Sequence, residues 1–153
     1  MIDAVFDRKQ EDVERALMLN RKYIDGTLTE AEKTEWLSGL KGALNANDLN
    51  RIETNCDTVA ENIAVVVHTK LWERKSIPRA SDFERICSNI ERIRSSYATL
   101  KTTPETPEQP LNTFQKWNDI EEILFDVDMI YHRTMDAFIY CGESYAGEDI
   151  GVI

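Results

Sequence analysis

Apolar residues recur every three or four positions in three long stretches of this chain, which is the spacing of an amphipathic α-helix. The stretches run from about 47 to 67, from 81 to 100 and from about 112 to 138. Each stripe needs a partner to cover it, and three such stripes can meet in one core. The pattern predicts an all-α protein built on an antiparallel helical bundle of three long helices.

Two shorter helices are predicted before the bundle. The first begins at Asp7, with Gln10 three residues later, and ends at Gly26, and its apolar stripe is narrow (Val13, Ala16, Leu17 and Ile24). The second begins at Thr29, where Glu32 completes a capping box, and Gly42 stops it. Helices this short gain their stability by packing on something larger.

Two segments break the helical pattern. Residues 101–112 contain three prolines within seven positions and predict an extended linker. Earlier in the chain, Pro78 disfavours helix at Ile77. Residues 139–153 place three glycines among aromatic and β-branched residues, which predicts a short extended or β-hairpin C-terminal arm. The arm either binds a neighbouring subunit or folds back on its own bundle.

The predicted organisation therefore has three parts within one folded domain. Residues 1–45 form a two-helix module, residues 46–138 the helical bundle with its Pro-rich linker, and residues 139–153 the arm.

The composition is that of a folded protein, and it argues against some kinds of partner. The chain has 153 residues, 42% of them hydrophobic and 30% charged, with a net charge of −10. This balance argues against nucleic-acid binding through bulk positive charge, and no apolar run approaches the ~20 residues that span a membrane. The N-terminus lacks a signal-peptide pattern and the three cysteines show no paired spacing, so we expect synthesis in a reducing cytoplasm.

The charge is uneven along the chain. Residues 70–101 hold eight Lys/Arg against four Asp/Glu, whereas residues 118–153 hold nine Asp/Glu against Arg133 alone. Two interpretations stay open: solvated helix faces, or docking of one copy's acidic part on a neighbour's basic stretch.

No catalytic residue, metal site or cofactor site is predicted. His68 and His132 lack the Glu three residues before them that di-iron bundles require, and Asp128 with His132 is expected to form a surface ion pair. The acidic positions 121, 122, 126 and 128 spread around a helix and predict a solvated acidic face. Cys141 is the one thiol expected to be exposed. An enzyme using Cys141 or Asp128 with His132 remains a distant rival.

Candidate contact residues lie in the two irregular regions. Trp72 sits in the basic stretch 70–79, where it is either a core residue or a protein contact. The predicted partner-binding residues of this stretch and of the arm are Trp72, Arg74, Lys75, Arg79, Tyr140, Tyr145, Ile150 and Val152.

Residues 7–53 resemble a module found in tail and baseplate-region structural proteins of bacteriophages and prophages of Gram-positive bacteria. The resemblance rests on an Asp-Arg opening at 7–8 that continues to Arg15, on Trp-Leu-x-Gly-x-Lys-Gly-Ala at 36–43, and on Asp-Leu-Asn-Arg at 48–51. Lys9 departs from the Thr usual in that module.

The resemblance implies a non-enzymatic virion component, made in the bacterial host cytoplasm, whose partners are other virion structural proteins and copies of itself. It carries no catalytic residues and implies no nucleic-acid or membrane partner. The alternative is an acidic helical inhibitor or regulatory protein that binds one bacterial partner, a role favoured by the acidic fifth helix.

Overall fold

The chain is all-helical over the part that the structure describes. The computed structural model describes residues 1–142, and the side chains of residues 1–138. This part contains five α-helices and no β-strand. The helices are α1 (Gln10–Asp25), α2 (Glu30–Ser38), α3 (Ala46–Asn62), α4 (Ala80–Ser96) and α5 (Phe114–Gly142). The predicted all-α class is confirmed.

The main core lies where α3, α4 and α5 meet. Each of these helices contacts the other two. Branched apolar side chains fill the space between them, and Trp117 adds an edge-on ring contact with Phe83 at 5.8 Å between centroids. Full burial of each such aliphatic side chain contributes roughly 1.5–3 kcal/mol. The most completely buried members are Ile52, Val59, Ile86, Ile90, Ile93, Ile120, Ile123, Leu124 and Val127.

A second, much smaller apolar cluster holds α1 against α2. Its buried members are Ala16, Leu19 and Leu40, and Trp36 packs beside them. The predicted stripe of α1 is only half correct, because Leu17 is 53% exposed and Ile24 82% exposed. The helix turns Ala16 and Leu19 inward, and Leu17 and Ile24 lie outside that narrow face.

The helices begin at residues whose backbone or side chain makes a capping hydrogen bond, and the sequence pattern identified only some of these residues. Thr29 and Glu32 form the predicted capping box of α2. Helix α1 begins after Lys9, whose N–H donates to the Asp12 carboxylate at 2.8 Å, rather than at Asp7. Helix α4 likewise begins after Arg79, whose N–H donates to Asp82 at 2.9 Å, so the predicted start at Ser81 is late.

Helix α3 ends at Asn62, about one turn before the predicted end at Val66 or Val67. Ala64 adopts a left-handed backbone (φ 56°), and the Val65 N–H closes the helix end on the Ala60 carbonyl at 2.8 Å. This closure resembles the usual glycine-terminated helix end and costs an alanine roughly 1–2 kcal/mol. Val66 is consequently 70% exposed.

Three asparagines hold irregular backbone against the helices. The side-chain amide of each accepts from one backbone N–H and donates to the carbonyl of the same residue, as a neighbouring strand would. Asn50 of α3 binds Trp72 in this way (2.7 and 2.9 Å), Asn89 of α4 binds His68 (3.3 and 2.8 Å), and Asn118 of α5 binds Arg8 (3.3 and 3.0 Å).

The Pro-rich linker is non-helical, as predicted, and it packs on the helices. The buried Thr103 hydroxyl donates to the Asp126 carboxylate, and the Trp117 indole N–H donates to the Leu111 carbonyl at 3.2 Å. Helix α5 then continues to Gly142 instead of ending at Phe138. Residues 139–142, expected at the start of the arm, are therefore helical, and the remainder of the predicted arm (143–153) lies outside the described residues.

Candidate functional site

A buried ion-pair cluster joins the N-terminal segment to α3 and α5. Its members are Arg8, Asp48, Arg51 and Glu121, and we use the name in this sense below. Glu121 is fully buried on α5 and accepts from Arg8 Nη2 at 2.7 Å and from Arg51 Nε and Nη2 at 3.0 and 2.8 Å. Arg51 Nη2 also donates to Asp48 at 2.9 Å, and Arg8 Nη2 lies 3.5 Å from Asp48.

The cluster is electrically balanced and saturated with hydrogen bonds. Two guanidinium groups face two carboxylates, and the second Glu121 oxygen also accepts the Val5 N–H at 2.7 Å. The hydrogen bonds to Glu121, followed by its charge, raise the pKa of Arg51 above its usual value. Side chains held by this many hydrogen bonds are fixed in position, which suits architecture better than proton transfer.

The N-terminal segment lies along α5 because acidic and amide side chains of the helices bind its backbone. Besides the Val5 N–H on Glu121, the Ile2 N–H donates to the fully buried Asp128 at 2.9 Å. Asn55 of α3 donates to the Asp3 carbonyl. Helix side chains thus satisfy main-chain groups along most of residues 2–8.

The prediction of a solvated acidic face on α5 is wrong at three of its four positions. Glu121, Asp126 and Asp128 are buried, and each has a partner from another part of the chain. Glu122 is half-buried, and burial raises its pKa. Asp128 does pair with His132 (Oδ1 to Nε2, 3.3 Å), but its carboxylate is interior and not at the surface.

Trp72 belongs to the chain's own core, the first of the two interpretations above. Its side chain is buried, and its indole N–H donates to Glu53 at 3.0 Å. Arg85 pairs with the same carboxylate, and the Lys70 ammonium lies 4.2 Å from the centre of the indole ring. The ring is therefore not free to contact a partner.

The other predicted contact residues divide into two groups. Arg74, Lys75 and Arg79 are exposed, and within residues 1–142 none of them forms an ion pair. Tyr140 lies in the last turn of α5, where side chains are not described. Tyr145, Ile150 and Val152 lie outside the described residues, as does the side chain of Cys141.

The residues that carry the resemblance to the phage module are in contact with one another. Arg8, Asp48 and Arg51 supply three of the four members of the buried ion-pair cluster. Lys41 pairs with Asp7 at 2.7 Å.

Arg15 on α1 pairs through two hydrogen bonds with Glu35 on α2, at 3.0 and 2.7 Å. Trp36 stacks on Tyr23 with 4.4 Å between ring centroids, and its N–H donates to Asn20 at 2.8 Å. These contacts hold α2 to α1 from both sides of the small apolar cluster.

Gly42 is required by a close backbone approach. A Cβ at this position would lie 2.0 Å from the Asp12 carbonyl oxygen, a distance that no side chain tolerates. The loop before α3 thus passes directly over the first turn of α1. Helix α2 ends at Ser38 with Gly39 as its C-cap, so the prediction that Gly42 stops it is wrong. The close approach to α1 accounts for Gly42.

Among the described side chains, both cysteines, Cys56 and Cys87, are free thiols. Burial raises the pKa of the Cys56 thiol well above its usual value and that of the half-buried Cys87 to a smaller extent. Among the side chains of residues 1–138, no three His, Cys, Asp or Glu groups lie closely enough together to hold a metal ion. No helix within residues 1–142 is both long and apolar enough to cross a membrane.

A cavity of about 510 Å³ lies between the start of α1, the loop at 41–44 and the start of α5. Arg8 and Lys41 are the charged residues of its lining, and the remainder mixes apolar residues such as Leu44, Leu111 and Phe114 with neutral polar ones.

Comparison with known proteins gives no assignment: no protein-family model, curated protein or solved structure matches this chain.

Proposed function

We propose that this chain is a non-enzymatic structural subunit of a phage virion that acts as an assembly or adaptor protein in a tail or baseplate-like complex. The observation that carries the proposal is that the residues at 7–53 that carry the resemblance form structural contacts within the chain. Those residues pair with each other and with Glu121, and so they serve to fix the shape of the subunit.

In this proposal the helical bundle, the C-terminal arm and the basic stretch have different roles. Helices α3, α4 and α5 would form an antiparallel bundle as the body of the subunit. The C-terminal arm and the exposed cations Arg74, Lys75 and Arg79 would contact neighbouring virion proteins or copies of the same chain. Charge complementarity between this basic stretch and the acidic arm supports such contacts.

The acidic inhibitor is the second candidate, and the fold weakens its main argument. A protein that mimics nucleic acid needs its carboxylates at the surface. Three of the carboxylates of α5 that suggested the role are instead buried in contacts with the rest of the chain.

Mass spectrometry of density-purified particles, combined with electron microscopy, tests the proposal. The chain should copurify with particles of the encoding phage or induced prophage at a fixed ratio to the major capsid protein. A strain carrying Arg74→Glu with Lys75→Glu should incorporate less of it, whereas Lys9→Glu, which changes an exposed cation outside the proposed contact, should incorporate normally. Absence of the wild-type chain from the particle defeats the proposal.

A further inference from the structure

The outer face of α1 has no partner within the described chain. Ala16 and Leu19 point inward, and Glu14, Leu17, Met18 and Arg21 lie on the opposite side of the helix. Leu17 is 53% exposed and Met18 38% exposed. A shallow recess of about 350 Å³ runs along this face, lined by Glu14, Leu17, Met18, Arg21, Lys22 and Asp25.

The face is complementary to itself. Leu17 and Met18 lie at the midpoint of the 16-residue helix, and Glu14 and Arg21 lie symmetrically on either side of that midpoint. When a second α1 is laid antiparallel across the same midpoint, Leu17 and Met18 of the two copies meet around the twofold axis. Glu14 then meets Arg21 of the second copy, and Arg21 meets its Glu14 by symmetry.

The charged residues of this face are available for such contacts. Arg21 is exposed and forms no ion pair within residues 1–142, and Glu14 makes one weak hydrogen bond, at 3.3 Å, with Gln10. By contrast, Arg15 and Lys22 are already paired with Glu35 and Glu32 on α2. The free charges of α1 therefore border the exposed apolar pair.

We propose that the outer face of α1 is a twofold self-association surface, in which two copies pair their α1 helices antiparallel through Leu17 and Met18 with Glu14–Arg21 ion pairs on both sides. This inference rests on the proposed function, in which copies of the chain meet in an assembly, and it adds the surface through which two copies pair. One helix pair buries less than the ~1,200 Å² typical of stable complexes, so the isolated dimer should be weak and the local concentration in an assembly should populate it.

Sedimentation equilibrium of the purified full chain from about 1 μM to about 1 mM tests the pairing. We expect reversible dimerisation, and Leu17→Lys should abolish it. Leu71→Lys is the matched control, because Leu71 is the same residue type, is more exposed (81%) and lies outside α1, and this variant should dimerise as the wild type does.

A charge-reversal series identifies the antiparallel register. Glu14→Arg and Arg21→Glu should each weaken dimerisation about tenfold, since each change places two like-charge contacts in one dimer. The double variant restores both attractive contacts and should recover wild-type association. Circular dichroism should be unchanged throughout, because these side chains are exposed.

Three results overturn the inference: a wild-type chain that stays monomeric over the whole range, dimerisation that survives Leu17→Lys, or a double variant no stronger than the singles. Because the experiment uses purified protein, each of these results leaves the particle measurement, and with it the proposed function, to be decided separately.

Discussion

The main core and the N-terminal two-helix module (α1 and α2, called the module below) are held together by different kinds of contact. Between α3, α4 and α5, fully buried Ile, Leu and Val side chains dominate. Between α1 and α2 there are three buried apolar residues, supported by ion pairs such as Arg15–Glu35 and Lys22–Glu32 at the rim. The comparison shows two ways of holding helices together within one chain: extensive apolar burial, and a small apolar cluster supported by ion pairs and a close backbone contact.

The buried ion-pair cluster lies where the two regions meet, and breaking it should have the largest effect. Glu121→Ala leaves Arg8 and Arg51 buried without their main carboxylate and should lower the free energy of unfolding by about 3–5 kcal/mol. Urea unfolding followed by circular dichroism measures the loss. The neighbouring Glu122→Ala is the control and should change stability little, because burial already disfavours its charge. Similar losses in both variants would contradict the assigned role of Glu121.

Truncating one buried side chain in each apolar core should show whether the two regions unfold separately. Ile90→Ala removes a fully buried side chain of the main core and should cost about 2–5 kcal/mol of global stability. Leu19→Ala removes an equally buried side chain of the module, and its main effect should be local opening of α1 and α2. The indole N–H signals of Trp36 in the module and of Trp72 and Trp117 in the main core can be followed separately by NMR. Loss of all three signals together in Leu19→Ala would show that the regions are one cooperative unit.

The contact of Gly42 with α1 predicts a smaller, steric effect. Gly42→Ala forces its Cβ against the Asp12 carbonyl and should cost about 1–3 kcal/mol by pushing the loop off α1. Gly26→Ala is the control: space is open around it, and the cost comes only from its left-handed backbone (φ 68°), roughly 1 kcal/mol. Equal losses, or a larger loss at Gly26, would refute the close-approach argument.

Acid should loosen the module through Glu32. The hydrogen bond from Lys22, together with the Thr29 N–H, lowers the pKa of Glu32 to about 2. Because the folded-state pKa lies below the ordinary value of 4.5, the stabilisation is present above pH 4.5 and is lost as the pH falls toward 2. Glu32→Gln should flatten the pH dependence of the Trp36 indole signal over this range, and Glu30→Gln, an exposed residue of the same helix, should not. An unchanged profile in Glu32→Gln would exclude this residue as the cause.

Sequence periodicity predicted the helices well but not their ends or the environment of their polar residues. Five helices follow from apolar spacing and turn residues, because both are local properties. The apolar run at 65–67 looked like a continuation of α3, and only the left-handed Ala64 ends the helix before it.

The burial of Glu121 and Asp128 could not be predicted in the same way. Their partners include Arg8 and the Ile2 N–H, more than 100 residues away in the chain. The spacing of residues along α5 cannot predict a contact with residues so distant in the chain. The resemblance did mark Arg8, Asp48 and Arg51, although it gave no reason for them; the buried carboxylate of Glu121 supplies that reason.

Native-state hydrogen exchange, measured residue by residue in increasing urea, tests the two-region account most directly. We predict that amides of α3, α4 and α5 exchange through global unfolding, and that those of α1 and α2 exchange through a smaller opening of lower free energy. Glu121→Ala should lower protection of the Val5 amide and of α1 more than that of the α4 centre. Uniform protection across all five helices, with equal losses in the variant, would contradict the account.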